Sequence, residues 1–285
     1  MNQTSMLALP QQIVAATISA GKTKTQLPLA RLILLGIFAG MFISCGASAS
    51  SVAMHAISNV GLARLVAGCV FPIGLMMIVF VGGELFTGDC MMVLGCLHRE
   101  YSVWSMVKVL TLVFLSNFAG SVLFTAMVNA STQYNFTSGL LGAFTIKVAV
   151  GKLNLSFGAA FVSGILCNFF VCIAVLMAGA AKDITGKVWA IFFPIMAFVV
   201  SGYEHCVANM YYIPAGIFAA SNETYVQAAM YAYGYTADQL EVLTWSNMLV
   251  NNLLPVTLGN IVGGMLFVSL PLYLIHGAKI RAEEA

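Results

Sequence analysis

The chain has 285 residues, 60% of them hydrophobic and only 8% charged, with a mean hydropathy of +0.94. A soluble domain of ordinary make-up carries about 25% charged residues, so this composition belongs to an integral membrane protein. A net charge of +2, with no Lys/Arg stripe interleaved with aromatics, argues against a nucleic-acid partner.

Residues 1–27 read as an amphipathic, interfacial segment. Leu9, Ile13, Ala16 and Ala20 fall near helical spacing, which suits either a helix packed beneath the membrane domain or a loose terminus. No basic start followed by a compact apolar core marks a cleavable signal peptide. A membrane-crossing helix needs about 20 apolar residues. Six such stretches follow, at about 28–52, 62–96, 106–130, 156–180, 188–218 and 248–275. The second and fifth are too long and too interrupted to be simple helices. Each predicts a half-helix, an irregular turn (GGELFTG at 82–88; SGYEHCVANM at 201–210) and a second half-helix. Non-helical backbone at membrane depth is tolerated only where protein buries it or where it lines a cavity. The connection 219–247 carries Tyr225, Tyr231, Tyr233, Tyr235 and Trp245, which suit a membrane–water boundary. Residues 28–276 thus form one six-span domain, with 277–285 as a tail.

The chain repeats itself. FPIGLMMIVFVGGELFTGD (71–89) parallels FPIMAFVVSGYEHCVANM (193–210), and SNFAGSVLF (116–124) parallels GNIVGGMLF (259–267). Three spans followed by three related spans must run in opposite directions, because three is odd. The expected architecture is therefore all-α, with an inverted 3+3 repeat. Nine basic residues (Lys22, Lys24, Arg31, Arg99, Lys108, Lys182, Lys187, Lys279, Arg281) fall on the side shared by both termini, against Arg64, Lys147 and Lys152 on the other. The positive-inside rule puts both termini in the cytoplasm.

Charges at membrane depth are costly and usually functional. Paired, Gly-interrupted hydrophobic segments in the two halves point to a transport site near the bilayer midplane. Glu84 and Glu204 interrupt the second and fifth spans at corresponding places. As carboxylates they would repel an anion, so they are expected to brace the turns by accepting backbone N–H groups. His205 is the only histidine deep in a span, and histidine exchanges protons near neutrality. Thr87 supplies either a hydroxyl facing His205 or an N-cap. Consecutive Glu204-His205-Cys206 cannot easily converge on one ion, so no metal is expected. Seven cysteines without CxxC spacing read as buried small hydrophobes. Asn168, Asn117 and Asn260 either glue helices or line a pore. Lys152 reads as a solvated loop lysine or as a vestibule cation that attracts anions.

GGELFTG, KLNLSFG followed by ILCN, SGYEHCVANM and PVTLGNIVGG together resemble the formate/nitrite transporter family, over essentially the whole chain. The resemblance implies an aquaporin-like fold, a homopentamer with one pore per protomer, and small weak-acid anions as cargo, without a cofactor. It implies His205 as the central pore histidine, Thr87 as the hydroxyl facing it and Lys152 as the vestibule lysine. Asn168 and Asn260 match pore-side polar positions. Apolar constrictions are implied at Phe71, Leu75 and Phe198 on the cytoplasmic side, and at Leu85, Phe86 and Val171 on the outer side. Cys206 and Glu84 depart from residues often found at these places.

Rings of Leu, Phe and Val obstruct a bare anion, whose burial in hydrocarbon costs tens of kcal/mol in the limit of low dielectric. The expectation is formate transport in the cytoplasmic membrane with a proton shared at His205, nitrite or hydrosulfide being the alternative cargoes. A water or glycerol channel lacks its paired NPA loops here, and an enzyme lacks a nucleophile–base pair.

Overall fold

A computed structural model describes residues 7–284. It is all-helical; among the described residues the only strand-like pairing is a single bridge between Leu7 and Ala181. Among the described residues, six helices are long and apolar enough to cross a membrane. After α1 (Pro10–Thr25) come α2 (Leu29–Met54), α3 (Val60–Val70) running through Pro72 into α4 (Ile73–Val81), and then α5 (Phe86–Asp89) and α6 (Val93–His98). The third span is α7 (Val103–Ala130). The second half brings α8 (Leu140–Leu153), α9 (Phe157–Ala180), α10 (Ile184–Ser201), α11 (Cys206–Ala219) and α12 (Glu223–Tyr233), and closes on a long last span, Trp245–Ala282. The six spans, the two broken helices and the inverted repeat stand where the sequence places them.

Both breaks follow from glycine. Gly82 ends α4 at φ 102° and Gly202 ends α10 at φ 73°, values that a side chain resists. The chain then crosses in extended form to residues with nearly the same backbone, Leu85 (φ −109°, ψ 120°) and His205 (φ −108°, ψ 117°), each the N-cap of the next half-helix.

The repeat is legible in hydrogen bonds as well as in sequence. Asn117 Nδ2 donates to Gly36 O and Glu84 O, and its Oδ1 accepts from Phe86 N, at 2.8–3.0 Å. Asn260 Nδ2 donates to Gly164 O and Glu204 O, and its Oδ1 accepts from Cys206 N, again at 2.8–3.0 Å. Each asparagine serves the orphan backbone groups of one break, which water cannot reach.

One element departs from expectation, and α1 takes the packed-helix form of the two readings open for it. α8, unpredicted, is largely buried despite being too short to span, and it packs on α11 and α12. α1 runs to Thr25 and buries Val14 and Ile18 against Met91, Leu94, Cys172 and Leu176, with Gly21 against Tyr101. Lys22 pairs with Glu100 at 2.8 Å, tying α1 to the turn before α7. Of the segment 1–27, residues 1–6 lie outside the described residues, as does residue 285 of the tail.

Candidate functional site

Two cavities approach the breaks from opposite faces. The larger, about 710 Å³, is lined by Lys152, Glu204 and His205, by Phe71 and Phe198, and by Lys147 and Arg64 nearer its rim. The smaller, about 320 Å³, lies under α1 and is lined by Lys24, Thr17, Leu75, Leu85 and Asp89. We call these the Lys152 face and the α1 face.

His205 and Thr87 meet between them. His205 Nδ1 accepts the Ala208 N–H at 3.0 Å, so the side chain caps α11. An accepting Nδ1 carries no proton, which leaves the neutral ring protonated at Nε2. That Nε2–H then donates to Thr87 Oγ1, 2.9 Å away. Both residues are almost fully buried. Phe198 stacks on the His205 ring at 6.0 Å and meets Phe71 edge-on at 5.6 Å. Thr87 is not an N-cap; Leu85 holds that place in α5.

The apolar narrowings sort differently from the sequence-based expectation. Phe71 and Phe198 line the Lys152 face, and Leu75 and Leu85 line the α1 face. The reason is chain direction: the second span starts at the far end from α1, so it passes Phe71 before it reaches the break. Phe86 and Val171 line neither cavity; both are buried, and Phe86 packs edge-on against Phe114 at 5.0 Å.

The two asparagines also stand apart from the pore. Asn168 Nδ2 donates to Thr87 O at 3.1 Å and to Asn260 O at 2.7 Å, which holds Thr87 in place from behind. Asn168 and Asn260 are fully buried and line neither cavity. Their amides are used up on backbone groups that would otherwise be orphaned.

The glutamates have different partners from those expected. Backbone bracing falls to Asn117 and Asn260, while each carboxylate meets a lysine. Lys152 Nζ lies 2.8 Å from Glu204 Oε1, and Asn209 Nδ2 donates to Glu204 Oε2 at 2.6 Å. Asn252, in a π-helical stretch of the last span, ties this group to Lys152 O at 3.0 Å. On the α1 face Lys24 Nζ lies 2.6 Å from Glu84 Oε2 and also pairs with Asp89. Burial opposes the Lys24 charge, but Asp89 and Glu84 outweigh it and hold the ammonium above the ordinary lysine value. Lys24, which sequence reasoning used only for topology, thus matches Lys152. They stand 128 residues apart, as do Gly36 and Gly164, so α1 and α8 belong to the repeat. That spacing was the available signal.

Comparison with known proteins agrees with this fold. The profile of the formate/nitrite transporter family matches residues 11–274. A probable formate transporter of Methanothermobacter thermautotrophicus is 36% identical over 284 residues, covering 91% of this chain and 94% of its own. The chain belongs to the formate/nitrite transporter family. A formate channel of Escherichia coli (strain K12) is 33% identical and covers 95% of both chains. Among solved structures, a pentameric formate channel with formate bound matches with a TM-score of 0.77 at 34% identity, over 87% of this chain and 97% of its own. A further ion channel of the family matches with a TM-score of 0.80 at 26% identity, over 93% and 98%. The protein is therefore a multi-pass membrane protein of a transporter and channel family. Among the described residues no group of His, Cys, Asp and Glu could hold a metal ion.

Proposed function

We propose that the protein carries formate across the cytoplasmic membrane, as a homopentamer with one pore in each protomer and both termini in the cytoplasm. Names of relatives on both the sequence and structure sides supply the substrate and the pentamer. Nine basic residues against three supply the orientation. The observation that carries the pore reading is the His205–Thr87 contact, buried between a cavity that His205 lines and a second that ends at Leu85 and Gly88.

The cations of the Lys152 face draw the anion inward, with the N-terminal end of α11 adding to the attraction at the floor. Beyond that point Phe71 and Phe198 on one face, and Leu75 and Leu85 on the other, make a bare anion costly. A proton taken up with the anion and shared among the carboxylate, His205 Nε2–H and the Thr87 hydroxyl lets a neutral or nearly neutral species pass. Because Ala208 N–H occupies Nδ1, the only basic nitrogen of this tautomer, His205 acts as a hydrogen-bond donor through Nε2–H while the proton travels with the carboxylate, and the cap survives.

The test uses purified protein in proteoliposomes, with radiolabelled formate, a pH gradient, and excess nitrite or hydrosulfide as competitors. Acid-stimulated formate uptake that competitors block poorly is expected. His205→Phe should abolish its pH dependence; full retention of that dependence would refute proton sharing. His205→Asn can still cap α11 but cannot offer Nε2, and it is expected to fold and to lose the pH dependence equally. Flux of nitrite or hydrosulfide without formate would keep the pore and overturn the cargo.

A further inference from the structure

The two faces of the pore are built on one plan and differ at one charge. Glu84 and Glu204, Leu85 and His205, and Asp89 and Asn209 each stand 120 residues apart in the repeat. On the Lys152 face one lysine meets one carboxylate, and the third member of the group is an amide, Asn209. On the α1 face the lysine meets two carboxylates, because the residue matching Asn209 is Asp89. With every group ionised, the first set is formally neutral and the second carries one negative charge. Asp89 is 2% exposed, lines the smaller cavity, and its Oδ2 has no hydrogen-bond partner. One lone carboxylate oxygen is therefore left over beside the path on this face; the matching atom opposite, Asn209 Oδ1, also lacks a hydrogen-bond partner but belongs to an uncharged amide. The groups facing Asp89 are Lys24 from α1, Glu84 from the break, Tyr101 from the turn before α7, and the thiols Cys90 and Cys172.

We infer that Asp89 makes the two mouths of the pore electrically unequal, and that it sets a higher anion concentration for loading the pore from the α1 face than from the Lys152 face. The inference rests on the transport reading above. At low substrate and without a membrane potential, a passive pore conducts equally in both directions. The inequality therefore belongs in the half-saturating concentration for each face, not in the limiting permeability.

The experiment compares right-side-out with inverted membrane vesicles holding the full-length protein. Initial uptake of radiolabelled formate is measured against concentration at pH 8, and repeated at pH 5. At pH 8 the wild type should need about three- to tenfold more formate for half-saturation from the α1 face, the effect of one partly screened charge close to the path. Asp89→Asn should lower that value toward that of the other face, with little change at the Lys152 face. Asn209→Asp should raise the value at the Lys152 face by a similar factor. At pH 5, where carboxylates carry less charge than at pH 8, the wild-type difference should be narrower, and Asp89→Asn should change less between the two pH values. A shift of both faces alike in Asp89→Asn, or no shift at pH 8, overturns the inference while the transport reading stands. If Asp89→Asn fails to assemble, Asn209→Asp decides alone, and an unchanged Lys152-face value is the overturning result. No saturable formate uptake by the wild type from either face overturns both.

Discussion

Asn117 and Asn260 show how much of this fold hangs on single side chains. Each satisfies two carbonyls and one N–H at a break where lipid offers no substitute. Leucine in place of Asn260 would fill similar space but leave Glu204 O and Cys206 N unpaired, while Gly164 O keeps its helical N–H in α9. Each buried orphan costs about 1–3 kcal/mol, so Asn260→Leu should lose a few kcal/mol, seen as a thermal midpoint in detergent lower by about 5 °C or more. An unchanged midpoint would mean that those groups have other partners. The sequence made these asparagines visible as buried polar residues in apolar runs. It could not say whether they faced the pore or the backbone, since both uses need an amide at membrane depth. His205 and Thr87 were easier to read: a lone histidine and a hydroxyl beside matching glycine breaks have few other uses in hydrocarbon.

At the scale of elements, the duplication brings helix pairs together through glycine. A Cβ on Gly120 would lie 2.1 Å from Ile37 O, where α7 crosses α2. A Cβ on Gly259 would lie 2.1 Å from Phe161 O, where the last span crosses α9. Both obstacles are backbone, which cannot rotate aside, so Gly120→Ala and Gly259→Ala must push the helices apart. Overpacking of this kind costs about 1–3 kcal/mol. Gly158, in the first turn of α9, has nothing near its Cβ position. Gly158→Ala should therefore be neutral or slightly stabilising. Thermal unfolding of the three variants checks the ranking; equal losses at Gly158 and Gly120 would refute the close-approach argument. The breaks were legible because Gly-Glu inside an apolar run has no comfortable helical reading. α8 was not, because its 14 residues are too few to cross a membrane, and burial on several sides leaves no periodic signature. The placement of Phe71 failed for another reason: the motif gives a position in the chain, whereas the side of the membrane needs the direction of the span.

Across the whole molecule, the repeat turns one set of residues into two opposed mouths, and Asp89 together with charges outside the repeated set tells them apart. Lys147 and Arg64 are exposed at the rim of the Lys152 face, with Lys147 held over the Tyr233 ring at 4.5 Å. Neither touches the narrowing, so their influence on an anion acts through the field in the cavity, where low-dielectric walls focus it. Such a field decays over the Debye length, about 30 Å at 0.01 M salt but about 3 Å at 1 M. Lys147→Ala combined with Arg64→Ala should therefore raise the half-saturating formate concentration from this face several-fold at low ionic strength, and hardly at all near 1 M. Lys152→Ala should behave differently. Its ammonium sits 2.8 Å from Glu204 and is mostly buried, so its removal leaves an unpaired carboxylate that salt cannot reach. A deficit in Lys152→Ala that persists at 1 M, beside a rim deficit that vanishes, would separate the lysine that builds the pore from those that feed it. A rim effect unchanged by salt would place Lys147 and Arg64 in direct contact with the anion and remove the funnel from the account.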